Sequence, residues 1–183
     1  RTEDGDFAPT AAGRQFLRRA IPYLEAAVAV RDIVVPASYN LARCLYVLKE
    51  YERALVLVRR ALRLQDEHEL AALAALAAAR QAQKLQLLYR TGMLSEARRG
   101  QLRARALELL NVAVHYFRQG LLRNEMDPVS HGNLGIAYML RNREHDVESA
   151  LRHWERMRAI GGGKMERRYS ELAQMENLAD PSR

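Results

Sequence analysis

The sequence predicts an all-α chain of stacked antiparallel helix pairs, and three observations carry that prediction. Ala, Leu, Arg and Glu dominate the 183 residues, with only 10 Gly and 5 Pro, so helix is the favoured backbone state almost throughout. Apolar residues recur at spacings of three and four, and no segment alternates apolar with polar residues as a half-buried strand does. The stretch at 39–65, YNLARCLYVLKEYERALVLVRRALRLQ, also aligns with a shorter one starting at Asn133, NLGIAYML followed by SALRHWERMRAI. A helix pair written twice cannot bury its outer faces alone, which points to stacked repeats.

The elements follow in order. Residues 1–9 are polar and read as a linker or frayed terminus, residues 10–178 as one helical repeat domain, and 179–183 as a tail. Phe16, Leu17, Ala20, Leu24 and Ala27 fall at helical spacing. Pro22 lies within that run, and its missing N–H is harmless only in a first turn, so the expected helix covers about 17–31 with a kinked lead-in from Thr10. Pro36 opens a helix to about residue 47 or 49, and a second runs from about 51 to 64. An Ala/Leu-rich helix is expected over about 67–89, stopped at Gly92. Ser95 and Glu96 start another to about 123, and Asp127 with Pro128 starts one to about 141. His145 or Asp146 begins a helix that the glycines at 161–163 end, and 164–177 reads as a last amphipathic helix.

Within the clear unit, Leu41, Ala42, Leu45 and Leu48 of one helix face Tyr51, Ala54, Leu55, Val58, Ala61 and Leu62 of the next. Closely approaching helices need a small residue where their axes cross, which the alanines supply. The segment resembles a tetratricopeptide repeat through Asn40-Leu41-Ala42, the Tyr51 to Ala54 spacing and Ala61. The later copy matches through Asn133-Leu134-Gly135, Ala137, Tyr138, Ala150, Trp154 and Ile160, with a turn, RNREHDVES, a few residues longer than the family usually has. Ala20, Leu24 and Ala27, and then Ala113, Phe117 and Gly120, resemble second helices of further units. The resemblance implies a right-handed superhelix of about three units, with an elongated middle hairpin and a C-terminal capping helix carrying Met165, Tyr169, Leu172 and Met175. Alanine on every face leaves the register of the helix near 67–89 open.

The composition excludes several function classes. One cysteine, Cys44, permits no internal disulfide and no thiolate cluster, and is expected to pack as a small buried hydrophobe. The five histidines show no metal-ligand spacing, and only His145 and His153 are expected to share a helical face. No serine has the glycine context of a strained nucleophile turn, and GGGK at 161–164 lacks the strand and the Ser/Thr of a phosphate loop. No catalytic residue, metal or cofactor is therefore expected. No apolar run reaches the length of a membrane span. The chain opens without Met, so it reads as a piece of something longer; a cytoplasmic location is favoured slightly, with a periplasmic one open.

What remains is binding. The resemblance implies a groove lined by the first helix of each unit, with Tyr39, Asn40, Arg43 and Tyr46 facing it in the clear unit and Asn133, Ile136 and Met139 in the last. Asn pairs with a peptide backbone, Arg grips carboxylates, and Tyr offers area at low entropy cost. The alternative for Tyr39 and Tyr46 is packing on the next unit. A second candidate is the hairpin tip, where Leu88 and Leu94, beside Leu87, Tyr89 and Met93, stand near Arg98, Arg99, Arg103 and Arg105. The expected partner is thus another protein, as a peptide or a helix. With 29 basic against 22 acidic residues, the alternative is nucleic acid or an anionic surface held by Arg98 to Arg105 with Arg167 and Arg168.

Overall fold

A computed structural model describes residues 10–30, 34–163 and 165, and within them the chain is helical with no strand. Seven helices appear among these residues: α1 (Ala11–Val28), α2 (Val34–Val47), α3 (Tyr51–Leu62), α4 (His68–Thr91), α5 (Glu96–Arg123), α6 (Pro128–Arg141) and α7 (Asp146–Gly161). The expected capping helix over 164–177 lies outside the described residues, apart from Met165, which packs against the core.

Local chemistry sets the ends. The Thr10 hydroxyl accepts from the Gly13 amide at 3.1 Å, and the Ser95 hydroxyl from the Arg98 amide at 3.3 Å. Asp127 accepts from the Val129 amide at 3.0 Å, with Pro128 in the first turn. Each satisfies one of the amides that a helix start leaves without a partner. At the other end of the chain, α7 stops where Gly162 takes φ +55, a conformation that costs other residues more.

One expectation fails at Pro22. The helix does not begin there but starts eleven residues earlier, and Pro22 sits inside α1. α1 has no fully buried residue and Pro22 is exposed, so the carbonyl left without its amide partner lies near solvent.

Each helix packs on the next, α1 on α2 through to α6 on α7. Beyond these neighbours, α2 touches α4 and α4 touches α6, whereas the backbones of α3 and α5, and of α5 and α7, stay apart, with Arg105 of α5 reaching Glu52 of α3 at 3.8 Å. This is the pairing of a tetratricopeptide-like stack. First helices α2, α4 and α6 form one continuous wall, and second helices α1, α3, α5 and α7 stand apart on the opposite side. The middle pair is elongated as expected, with 24 residues in α4 and 28 in α5 against 14 and 12 in α2 and α3.

The core runs through all three pairs. Leu41, Leu45 and Val58 fill the first seam, while Trp154 and Leu134 fill the last. In α4, Ala71, Ala74, Ala75, Ala77, Ala78 and Ala82 are buried, so the helix is enclosed on several sides and small side chains let its neighbours close in. At the α4–α5 crossing a Cβ on Gly120 would stand 3.4 Å from His68 Nδ1. The His68 ring bonds the Gly120 carbonyl at 3.1 Å and sits 3.2 Å from Asp127, tying three elements together.

The long turn before α7 is closed by charge. Arg141 makes two bonds to the Asp146 carboxylate, Nε at 2.9 Å and Nη2 at 2.5 Å, and Asp146 also accepts from the Arg143 amide at 2.9 Å. Asp146 is almost fully buried, and its hydrogen bond raises the Arg141 pKa above the ordinary arginine value. Asn142 at φ 49 and His145 at φ 63 let the chain turn within that span.

Candidate functional site

The wall formed by α2, α4 and α6 places the residues expected to bind. On α2, Arg43 lies over the Tyr39 ring at 5.5 Å from its centroid, Asn40 and Arg43 are exposed, and Tyr39 and Tyr46 are half-buried against the core. Tyr46 also stacks edge-on against Tyr51, with centroids 5.4 Å apart. On α6, Asn133 is half-buried and hydrogen-bonded or otherwise engaged, and Ile136 and Met139 are partly covered by core packing. The sequence-derived set thus divides between two ends of one wall.

The middle of the wall comes from α4, whose inward residues the sequence did not reveal. Arg80 donates to the Tyr46 hydroxyl at 3.4 Å and to Gln83 at 3.1 Å, bridging α2 and α4. The Gln86 amide donates to the Leu140 carbonyl at 3.0 Å, bridging α4 and α6. The signal available was polarity: Arg80, Gln83 and Gln86 recur every third residue after a run of alanines. Tyr46 therefore serves as a tie between units as well as a wall residue, the alternative that the sequence left open.

The hairpin tip is apolar on one side. Met93 is fully exposed, and Leu87 and Leu88 are 65% and 47% exposed. Leu94 and Tyr89 are only half-exposed: Tyr89 packs on the core, and Leu94 lies where a Cβ on Gly92 would meet its Cγ at 3.2 Å. Arg98 is exposed and bonds Gln101 at 3.2 Å. Its neighbours are neutralised, Arg99 by Glu96 at 2.7 Å and Arg105 by Glu108 at 3.0 Å.

On the opposite side, three clefts open between the separated second helices, each floored by a first helix. The first, about 350 Å³, lies between α1 and α3 over Leu41 and is bordered by Glu25 and Glu52. The second, about 530 Å³, lies between α3 and α5 over Ala71. The third, about 840 Å³, lies between α5 and α7 over Leu134 and Tyr138.

The third cleft brings together two histidines from different helices. His153 meets His131 of α6, not His145, with their Nδ1 atoms 2.9 Å apart. His131 Nε2 lies 3.0 Å from the Glu125 carbonyl, an acceptor only, so Nε2 carries the proton and Nδ1 is left to accept. His153 then donates from its Nδ1. Burial, followed by the charges of His131, Arg152 and Arg118, lowers the His153 pKa to about 4. Two residues contributed by different helices were invisible to a search within one. Among the described residues no group of three or more His, Cys, Asp or Glu is placed to hold a metal ion. Cys44 is half-exposed, not buried, and burial still raises its thiol pKa more than Arg43 lowers it. No described helix is long and apolar enough to cross a membrane.

No family model matches the chain, and no curated protein does. Among solved structures the chain is similar to YrrB, described as a TPR protein with an unusual peptide-binding site, at 18% identity. The match covers 91% of this chain and 86% of that one with a TM-score of 0.35, so the fold assignment above rests on the helix pairing itself.

Proposed function

We propose that the chain is a non-enzymatic protein-interaction module, an adaptor or scaffold part of a larger assembly, that takes a partner peptide or helix along the α2–α4–α6 wall. The observation that supports this most is the continuity of that wall. Polar and aromatic side chains of α2 and α4 stand along it, Arg43 over the Tyr39 ring and Arg80 bonded to Tyr46 and Gln83. A rigid surface of this kind recognises a partner by shape and by hydrogen bonds to its backbone, with little ordering cost. The exposed Leu88 and Met93 at the hairpin tip, next to Leu94 and Arg98, offer a second apolar contact for the same or another protein.

The alternative, nucleic acid or an anionic surface held at Arg98 to Arg105, is weakened by the Glu96 and Glu108 pairs that neutralise two of those arginines. Arg167 and Arg168 lie outside the described residues.

Affinity capture from an extract of the source cells tests the reading. Wild-type chain is run beside Tyr39→Ala/Arg43→Ala and Leu88→Ala/Leu94→Ala double variants at low and high salt. A discrete protein lost in one variant and kept at high salt supports the module. Recovery of nucleic acid alone, released by salt, would replace it with the electrostatic alternative.

A further inference from the structure

The clefts between the second helices carry a charge pattern that the α2–α4–α6 wall does not use. Arg59 and Arg63 of α3 border the second cleft beside Asp66, which Arg123 holds, and Arg118 of α5 and Arg152 of α7 border the third beside Arg141, which Asp146 holds. None of Arg59, Arg63, Arg118 and Arg152 has a carboxylate partner among the described residues; Arg152 bonds only the Ser149 hydroxyl, at 3.2 Å. Arg53, Arg123 and Arg141, by contrast, are each held by a carboxylate: Arg53 by Glu25 and Glu50, Arg123 by Asp66 and Arg141 by Asp146. The two clefts flank α5, whose His115 and Gln119 line both. Cations gathered along clefts with low-dielectric walls focus their field on whatever enters.

From this juxtaposition we infer that the outer side of the stack, from α3 across α5 to α7, is a docking surface for an acidic, extended peptide segment of another protein. A strand crossing two helix diameters, roughly 20 Å, needs about six extended residues. Its carboxylates meet Arg59 and Arg63 at one end and Arg118 and Arg152 at the other, where guanidinium groups form paired hydrogen bonds. The Gln119 side-chain amide, with no internal hydrogen bond among the described residues, lies midway and serves a peptide backbone as donor and acceptor. Leu122, 79% exposed at the border of the third cleft, gives an apolar residue of the segment a place to pack.

A peptide fits better than a single-stranded nucleic acid because, of the rings lining the two clefts, only His115 is exposed, whereas successive bases need a run of open faces to stack on. Tyr138 is buried and already stacked by His153 at 5.9 Å, and Tyr116 is partly buried against the core with His115 on its edge. The first cleft ends the surface, because its one lining arginine, Arg53, is already paired with Glu25, and Val28, Leu41, Val56 and Leu57 make the rest of its lining mostly apolar.

Fluorescence anisotropy with a short labelled peptide of mixed Glu and Leu tests the inference, beside its Gln/Leu counterpart and an oligothymidylate of equal charge. The variants are Arg59→Glu/Arg63→Glu and Arg118→Glu/Arg152→Glu, all at exposed positions, with Arg43→Glu on the inner wall and Arg98→Glu/Arg103→Glu at the hairpin as controls. The expected result is binding of the acidic peptide over both other probes, weakened at least ~10-fold by each outer pair and little by the controls. Equal binding of the Gln/Leu peptide, equal weakening by the hairpin control, or tighter binding of the oligothymidylate would each overturn it. Circular dichroism of every variant confirms that the fold compared is the same.

Discussion

Gly135 of α6 and the Trp154 ring of α7 occupy space that leaves no room for a methyl group: a Cβ on Gly135 would stand 2.1 Å from Trp154 Nε1. The ring is fully buried, and its N–H donates to the Gly132 carbonyl at 3.1 Å. The glycine thus lets the largest side chain of the core lie flat against the facing backbone, with its polar atom satisfied. Replacing Gly135 by Ala forces the ring from that bond, and the expected loss is about 2–3 kcal/mol. Gly100, in α5 with nothing within 4 Å of its Cβ position, is the counterpart: Gly100→Ala should stabilise by roughly 0.5–1 kcal/mol through helix propensity. Thermal melts of the two variants check both signs.

The Arg141–Asp146 pair closes the long turn from a buried position. Asp146→Ala strands a guanidinium that is only 16% exposed and removes the acceptor for the Arg143 amide. Breaking one side of such a pair costs about 3–5 kcal/mol. Urea denaturation should show that loss, with the Asp146→Ala/Arg141→Met double variant recovering part of it. A double-variant loss equal to the sum of the Asp146→Ala and Arg141→Met losses would mean the pair contributes nothing beyond its separate side chains.

Burial of His153, with His131 beside it, makes stability depend on pH. The pKa of His153 is about 4 in the folded chain, below the ordinary 6.5, so between those values the unfolded chain takes up a proton that the native one refuses. Stability is therefore fully present above pH 6.5 and is lost as pH falls toward 4. With screening of a part-exposed ring, the change is on the order of 1–2 kcal/mol. His153→Gln should flatten the fall in melting temperature between pH 7 and pH 5, as measured by circular dichroism. A variant curve as steep as the wild type's would assign the dependence to other groups.

Leu87 and Met93 face solvent at the hairpin tip, so these two contribute little to folding. Leu87→Ser with Met93→Ser should leave stability within about 0.5 kcal/mol of the wild type. A larger loss would show that the tip folds back on neighbouring residues.

Much of this organisation is legible in the sequence, for identifiable reasons. Ser95 and Asp127 announce helix starts because their side-chain oxygens are suited to bonding the first amides, and both do. The Gly135 and Trp154 positions stand out because the repeat recurs. Pro22 misleads because the rule against interior proline assumes a crowded, paired helix, whereas α1 is buried at no residue. The inward face of α4 was hidden by its alanines, which suit every face of a helix enclosed on several sides, and with it went Arg80 and Gln83. His131 and His153, 22 residues apart on different helices, meet only through the α6–α7 packing, which no spacing rule within one helix encodes.

The direct test of the module places a photo-crosslinking residue at position 43 on the inner wall, 93 at the hairpin tip, or 118 on the outer side, and irradiates each chain in source-cell extract. The account predicts a protein adduct of defined mass at position 43, abolished by Tyr39→Ala, with position 93 reporting any further contact. Adducts to nucleic acid alone, or none at positions 43 and 93 under conditions where the chain is folded, would contradict it.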